Sequence, residues 1–352
     1  MRVTAIIVTW DSEEVIGDCL AALDAQRGVE LEVLVVDNAS RDGTLAIVEA
    51  AARGARHRVS VVRGATNRGF AGGVNDGLAR SSAAAVLLVN PDARLEPDAL
   101  ARMVAVLRED PSCGSVQPRL LRPGGARIDT TGHVLTHPLI VQNRDEGRSS
   151  ELLRERGPVL GASGAAVLHR RTMLDDIAWR RPDGSLEHLT EDLVAYFDDV
   201  ELDLRARSRG WSAMHEPSAV GSHRRGGASG ERSRTVEALS WSNRVLVLGT
   251  LALDRASVRH LPTILVTFGL ATLELGLRRP AALVTGIGRL RLLPRALRRA
   301  RVVRGRAVVA PAQVVRDWAE PLDLGAWLRA WWLRRRASVA AGDDPAPRSS
   351  AP

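Results

Sequence analysis

The sequence predicts an α/β protein built on a mostly parallel, doubly wound sheet, with a helical and strongly basic C-terminal extension. Three observations carry this. Mainly apolar segments of strand length recur at 2–8, 31–36, 59–62 and 86–89, the last unbroken, as buried parallel strands require. Helix-length segments separate them, which suits right-handed crossovers. Each run also ends in a polar turn, where ligands collect in open α/β sheets.

The first strand leads through Thr9-Trp10-Asp11-Ser12 into a helical pattern ending near Gln26, with Ser12 or Asp11 placed to cap it. The second strand closes in Asp37-Asn38-Ala39-Ser40-Arg41-Asp42-Gly43-Thr44, a turn-rich stretch in which Asp37 also suits a helix cap. The third precedes Asn67-Arg68-Gly69-Phe70-Ala71-Gly72-Gly73-Val74-Asn75. The fourth delivers Asn90-Pro91-Asp92-Ala93, and Pro97 fits the first turn of the next helix. The glycines at 69, 72, 73 and 77 do not make a dinucleotide fingerprint, because they follow the third strand and the first βα turn has no glycine. They suit close backbone approach to phosphates, or an eased helix start.

Beyond residue 110 the pattern is less regular. Arg122-Pro123-Gly124-Gly125 and 142–157 read as loops of the kind that carry recognition beside a rigid sheet. Val159–Arg171 is rich in small residues, and Gly161 and Gly164 permit close approach of a sugar or of backbone. Phe197, Val200 and Leu204 recur at helical spacing with Gly210 placed to end the helix, so Asp198 and Asp199 fall at its N-terminus, where the dipole favours ionised carboxylates. Asp203 lies one turn on, on what reads as a solvated face paired to Arg207. His223 follows a strand that starts near Trp211, with Arg224 and Arg225 beside it.

Successive segments resemble the motifs of family 2 glycosyltransferases: Val8-Thr9-Trp10-Asp11-Ser12, Val35–Thr44, Asn67–Asn75 and Leu88-Val89-Asn90-Pro91-Asp92-Ala93, in that order. The Asn-Pro-Asp-Ala variant resembles the rhamnosyltransferases of bacterial cell-envelope synthesis, and the likeness runs to about residue 225. The resemblance implies a GT-A fold, an inverting mechanism and a nucleotide-sugar donor, a dTDP- or UDP-sugar. It implies that Thr9, Trp10, Asp11, Asp37, Asn67, Gly69, Asn75 and Asn90 bind the donor nucleotide, with Asp37 at the base edge. Asp92 stands for the last carboxylate of the metal-binding Asp-x-Asp, whose first carboxylate is here Asn90. His223 matches a histidine that reaches the metal or diphosphate in related enzymes. Gly161, Ala162 and Ser163 resemble the acceptor side, and Asp198 and Asp199 the family's Glu-Asp pair, with Asp199 at the position of the base. Chemistry agrees: a diphosphate leaving group needs a cation, Mg²⁺ or Mn²⁺, rather than an acid, and the acceptor hydroxyl needs one general base.

Charge divides the chain. All 49 basic residues are Arg, a sign of coding bias as much as of phosphate selection. Residues 231–352 hold 21 Arg against 9 acids, whereas the first 230 hold 28 against 32. The expected organisation is a catalytic domain at 1–230, a helical basic region at 231–336 and a disordered tail at 337–352. Within the basic region, 261–277 is apolar but for Thr, Pro and Glu274, and 11 Arg without an acid follow between Leu275 and Arg316. Leu324, Trp327, Leu328, Trp331 and Trp332 then precede Arg334-Arg335-Arg336. Aromatic anchors beside Arg clusters suit an anionic membrane surface; a helical cap with its Arg face in water is the alternative. No nucleic-acid module is visible. Cys19 and Cys113 are isolated, as in a reducing compartment, and the expected location is cytoplasmic, peripheral at the inner face of the membrane, with a polyprenyl-linked or glycan acceptor. Transfer of another sugar, such as galactofuranose, and a catalytically silent nucleotide-binding scaffold remain alternatives.

Overall fold

The four apolar runs form strands β1 (Arg2–Thr9), β2 (Glu30–Asp37), β3 (Arg58–Arg63) and β4 (Ala85–Val89), separated by helices α1 (Ile16–Asp24), α2 (Thr44–Gly54) and α3 (Gly69–Leu78). The computed structural model describes residues 1–137, 140–225, 234–253, 260–325, 327–329 and 332. The chain continues through β5 (Ala93–Leu95), α4 (Ala99–Glu109), β6 (Cys113–Leu121), β7 (Ile128–Thr130), β8 (His133–His137), β9 (Ile140–Asn143), β10 (Gly157–Pro158), β11 (Ala166–Arg170) and α5 (Arg171–Ile177). A small hairpin of β12 (Trp179–Arg180) and β13 (Leu186–Glu187) precedes α6 (Asp198–Ser208) and the long β14 (Ser212–His223).

The sheet runs β10-β14-β6-β11-β4-β1-β2-β3. The half from β3 to β4 is parallel, in register from Arg2 opposite Glu30 to Thr9 opposite Asp37. β11 then runs antiparallel to both neighbours, β4 and β6, and β14 is parallel to β6. The sheet is therefore more regular after residue 110 than the sequence suggests. Buried polar side chains, among them Gln117, Arg119, His169 and His215, interrupt the apolar runs that would have marked its strands.

Alternation along β1 sorts the core. Val3, Ala5 and Ile7 pack with α1, α2 and α4 on one face, and Ile6 and Val8 with α3, α5 and α6 on the other. The glycines of α3 are explained here: a Cβ at Gly73 would lie 2.6 Å from Val8 Cγ1, and one at Gly77 2.7 Å from Ile6 Cγ2. They let the helix lie directly on β1. Two helix starts differ from expectation. α1 begins at Ile16, with the Ser12 carbonyl accepting the Val15 and Ile16 N–H groups, and α4 begins two residues after Pro97.

C-terminal helices α7 (Arg234–Leu251), α8 (Leu261–Arg278), α9 (Pro280–Arg289), α10 (Leu293–Arg306) and α11 (Pro311–Trp318) follow. Leu246, Leu248, Val303, Val314 and Val315 from this set share a core with Val200 and Leu204 of α6 and with Leu135. The helical layer thus packs on the same helix that begins with Asp198 and Asp199. Trp327 and Trp332 fall within the described residues; Trp331, Arg334–Arg336 and the tail at 337–352 lie outside them.

Candidate active site

The ends of β1 and β2 bring Thr9 and Asp37 side by side. Asp37 is buried and accepts the Ser40 N–H, while the buried Thr9 hydroxyl has no hydrogen-bond partner. Trp10 is exposed beside them, and Asp11, in the left-handed region at φ 46°, accepts the Arg41 N–H at 2.7 Å. Asn67 accepts the Gly69 N–H at 2.8 Å and so caps the loop into α3; Gly69 has φ 74°. Asn75 is engaged differently from the donor-binding expectation. Its amide donates to Leu189 O and Glu191 Oε1 and accepts the His188 and Leu189 N–H groups, so its polar capacity is taken up in holding 188–191 against α3. Asn90 is tied through its backbone, its N–H donating to Ala165 O.

Asp92 meets His223 across the pairing of β5 with β14. Asp92 Oδ1 lies 3.2 Å from His223 Nε2, and His223 Nδ1 is held at 2.9 Å by Asp129 Oδ2. Burial disfavours the imidazolium of His223, but Asp129 and Asp92 outweigh it and push its pKa up to about 9. Asp129 is itself paired to Arg225 at 2.5 Å, and Arg225 also reaches Glu146; Arg224 is exposed near Glu14. A carboxylate that fixes one imidazole nitrogen and aims the other at a second carboxylate is the arrangement that orients a metal-binding histidine. No group of three His, Cys, Asp or Glu gathers in a metal-holding set among the described residues. Asp92 could supply a carboxylate and His223, once its imidazole gives up its proton, a nitrogen to a divalent cation whose remaining ligands come from phosphate and water.

The pair at the start of α6 splits by environment. Asp198 is 4% exposed, and burial, with Asp199 and Glu201 nearby, raises its pKa well above the carboxylate range. The Asp199 side chain is 26% exposed. Burial would raise its pKa too, but His133, 3.5 Å away through Nε2, outweighs this, and the Gly164 and Val200 N–H groups add to the lowering. Asp199 is the ionised, reachable carboxylate of the two. His133 Nδ1 lies 2.8 Å from Asp203 Oδ2. Burial raises Asp203 to about 6, and burial of His133 is overcome by Asp199 and Asp203, which push the imidazole to about 10.

Asp203 therefore corrects the reading of a solvated helix face paired to Arg207. It is buried, binds His133 and accepts the Ala162 N–H at 3.1 Å, while Arg207 donates to the Leu160 and Val159 carbonyls and stacks on Trp318. The missing Cβ of Gly161 is the cause, since one there would overlap the Asp203 carboxylate. Gly161, Ala162 and Ser163 thus form a backbone shelf against α6 and β6, with the Ser163 N–H donating to Gln117 at 2.7 Å.

Two residues of this site, Asp129 and His133, escape the sequence reading. They lie in Asp129-Thr130-Thr131-Gly132-His133, a polar run that is nonetheless wholly buried. Its one signal is an acid and a histidine flanking a glycine, and Gly132 has φ 125° with its Cβ position 3.0 Å from Gly161 O.

With this geometry in view, comparison with known proteins identifies the domain that holds most of it. Residues 4–177 match the family described as "Glycosyl transferase family 2". Residues 4–177 are a family 2 glycosyltransferase domain. Among curated proteins, the poly-beta-1,6-N-acetyl-D-glucosamine synthase of Staphylococcus epidermidis is 21% identical over 223 residues, 62% of this chain and 51% of that protein. The chain thus spans about half the length of that relative. Among solved structures, the mannosyltransferase PcManGT from Pyrobaculum calidifontis, in complex with GDP-Man and Mn²⁺, superposes with a TM-score of 0.52 at 21% identity, covering 95% of this chain and 86% of that one. GalNAc-T7 with UDP, GalNAc and Mn²⁺ gives 0.57 at 12% identity, covering 74% and 50%. These place the chain in the GT-A fold.

The buried imidazolium makes a pH prediction. His133 is raised from its ordinary 6.5 to about 10, so its contribution to stability is complete below pH 6.5 and is lost as pH rises toward 10. Unfolding midpoints measured from pH 6 to 10 should fall less steeply in His133→Asn than in the parent chain. The Asp199 carboxyl, followed by ¹³C NMR, should titrate higher in that variant. An unchanged Asp199 titration would show that His133 does not govern it.

Proposed function

We propose that this chain is an inverting, metal-assisted glycosyltransferase that moves L-rhamnose from dTDP-rhamnose to a lipid-linked or cell-envelope glycan acceptor at the cytoplasmic face of the membrane. The observation that carries the reaction type is Asp199, an accessible carboxylate held ionised at a helix N-terminus beside a buried Asp198 whose pKa is raised. The sugar rests on the Asn90-Pro91-Asp92-Ala93 resemblance.

In the proposed reaction, the acceptor hydroxyl donates its hydrogen bond to Asp199 and its oxygen attacks the anomeric carbon from the side opposite the diphosphate. The new C–O bond forms as the bond to the diphosphate oxygen breaks, which inverts the centre, and Asp199 takes the proton. Thr9, Trp10, Asp11 and Asp37 hold the nucleotide at the strand ends, with the unpaired Thr9 hydroxyl turned to use. Asn67 and Gly69 shape the loop beside it, and Asn90 sets the turn that carries Asp92. Asp92 and His223 would hold Mg²⁺ or Mn²⁺, which when bound offsets the charge growing on the leaving diphosphate. Gly161, Ala162 and Ser163 shape the acceptor side. Asp198, buried beside Asp199, is pushed toward its neutral form and so lessens like-charge repulsion at that helix end.

Transfer and hydrolysis measured over a panel of nucleotide sugars should select dTDP-rhamnose. Selection of a UDP-sugar, galactofuranosyl included, would replace the donor; no turnover of any would favour a silent nucleotide-binding scaffold. Asp199→Asn should lower turnover about 10²–10⁴-fold with donor affinity kept. A matching loss of affinity would make it a binding residue instead. Asp92→Asn and chelator should each weaken donor binding by calorimetry, and indifference to both would sink the metal assignment.

The acceptor's location draws on the helical layer. Among the described residues α8 alone is long and apolar enough to cross a membrane, and only 11% of its 18-residue window is buried. Leu265, Leu273 and Leu277 of α8 and Val284 and Ile287 of α9 are exposed, as are Arg291, Arg298 and Arg301. We read this as peripheral docking on an anionic surface, each Arg near it contributing on the order of 1 kcal/mol. Vesicles containing phosphatidylglycerol should bind the full chain at low salt, and Leu265→Glu or Arg298→Glu should weaken the binding. Equal indifference to such vesicles in the parent chain would make the layer a cap whose arginines face water.

A further inference from the structure

The segment from Leu193 to Phe197, which leads directly into α6, is strained. Val194 (φ 67°, ψ −61°), Tyr196 (φ 66°) and Phe197 (φ 64°) all have positive φ, and Ala195 N–H donates back to Leu193 O at 2.8 Å. That is a γ-turn at a β-branched residue followed by two left-handed residues, none of them glycine, a conformation that persists only where the surroundings impose it.

What imposes it is the helical layer. Asn243 of α7 directs its Nδ2 at three carbonyls of this segment, Leu193 O at 2.9 Å, Ala195 O at 2.9 Å and Tyr196 O at 2.8 Å. Its own Oδ1 accepts from Arg289 of α9 at 3.1 Å, and Arg289 also donates to Ser242 Oγ and to Asp192 O at 2.8 Å. Arg244, next along α7, lies with its guanidinium 6.0 Å from the Phe197 ring. On the opposite side, Val194 O accepts the Ala71 N–H at 3.0 Å, and a Cβ at Gly69 would meet Val194. One loop thus touches the donor-side start of α3, the carboxylate start of α6 and two C-terminal helices.

We propose that Asn243, anchored by Arg289, is a positioning residue for catalysis: it holds the strained 193–197 loop in the one conformation that aims Asp199 at the acceptor hydroxyl. The C-terminal helical layer is then part of the catalytic apparatus rather than an attachment to it. This inference rests on Asp199 being the base. Without the clamp the loop relaxes, α6 keeps its packing on the sheet through Leu202 and Ala206, and the carboxylate loses its aim.

Asn243→Leu removes the donors at similar volume. Hydrogen–deuterium exchange should show the amides of 193–199 exchanging at least about tenfold faster, with β1 to β4 unchanged. Turnover should fall about 10–100-fold while the donor KM stays within about twofold, the pattern of lost aim rather than lost binding. Should Asn243→Leu not fold, Arg289→Met, which removes only the anchor, is expected to shift both readouts in the same direction by about threefold. Unchanged exchange, or faster exchange with parent turnover, overturns the proposal. Asp199→Asn, run in parallel, separates the two ideas: parent turnover there removes the base assignment, whereas an inactive Asp199→Asn beside a fully active, loosened Asn243→Leu removes the clamp alone.

Discussion

One short buried segment sets the distance between two centres of charge. Asp129 turns to His223, which faces Asp92, and four residues later His133 turns to Asp199 and Asp203. Thr130 Oγ1 donates to Gly132 O and the His133 N–H donates to Gly161 O, so the segment is fixed from within and against the shelf before β11. Neither imidazole can shift without disturbing the other through five consecutive buried residues. The strands bring Asp92 and α6 brings Asp199, and this segment sets how both carboxylates are held.

Helix α6 is unusual in burying charge on several sides. Glu201 and Arg205 pair at 2.8 Å, and Arg205 also reaches Ile177 O and His188 O and lies 5.1 Å from the Trp179 ring centroid. Burying such groups unpaired would be strongly unfavourable, and even well paired they add little to stability. What they add here is definition: His133 is shared by Asp199 and Asp203 and Arg205 is held by Glu201, so burial lifts Asp198 and Asp203 while His133 holds Asp199 down, although the three lie within two turns. A uniformly apolar face would hold the helix as firmly and leave its carboxylates alike.

The legible part of this chain is the part governed by local pattern. The four parallel strands are mainly apolar segments, and the residues at their ends, Thr9, Asp37 and Asp92, follow once the strands are placed. Helix α6 and its end at Gly210, which takes φ 89°, follow from spacing and one glycine. The illegible part depends on partners distant in sequence. Asp203 reads as exposed because its period is helical and its neighbour is charged; only the absent side chain of Gly161, 42 positions earlier, admits it to the interior. Asn75 reads as a ligand group and is engaged by a loop more than a hundred residues on. Asn243 sits in an ordinary amphipathic helix, and nothing near it in sequence signals the strained carbonyls it serves.

The exclusive use of arginine has a consequence for how this molecule responds to its surroundings. A guanidinium stays charged across any pH a cell reaches, whereas a lysine ammonium sheds its proton readily when buried or crowded by like charge. The exposed cations along α10 therefore present a field that acidity cannot tune, and close spacing cannot discharge it. Salt alone can attenuate it, over about 8 Å at physiological ionic strength. Sensitivity to pH is left to the interior, where His133, Asp203 and His223 titrate, so the outer surface and the buried centre answer to different variables of the same solution.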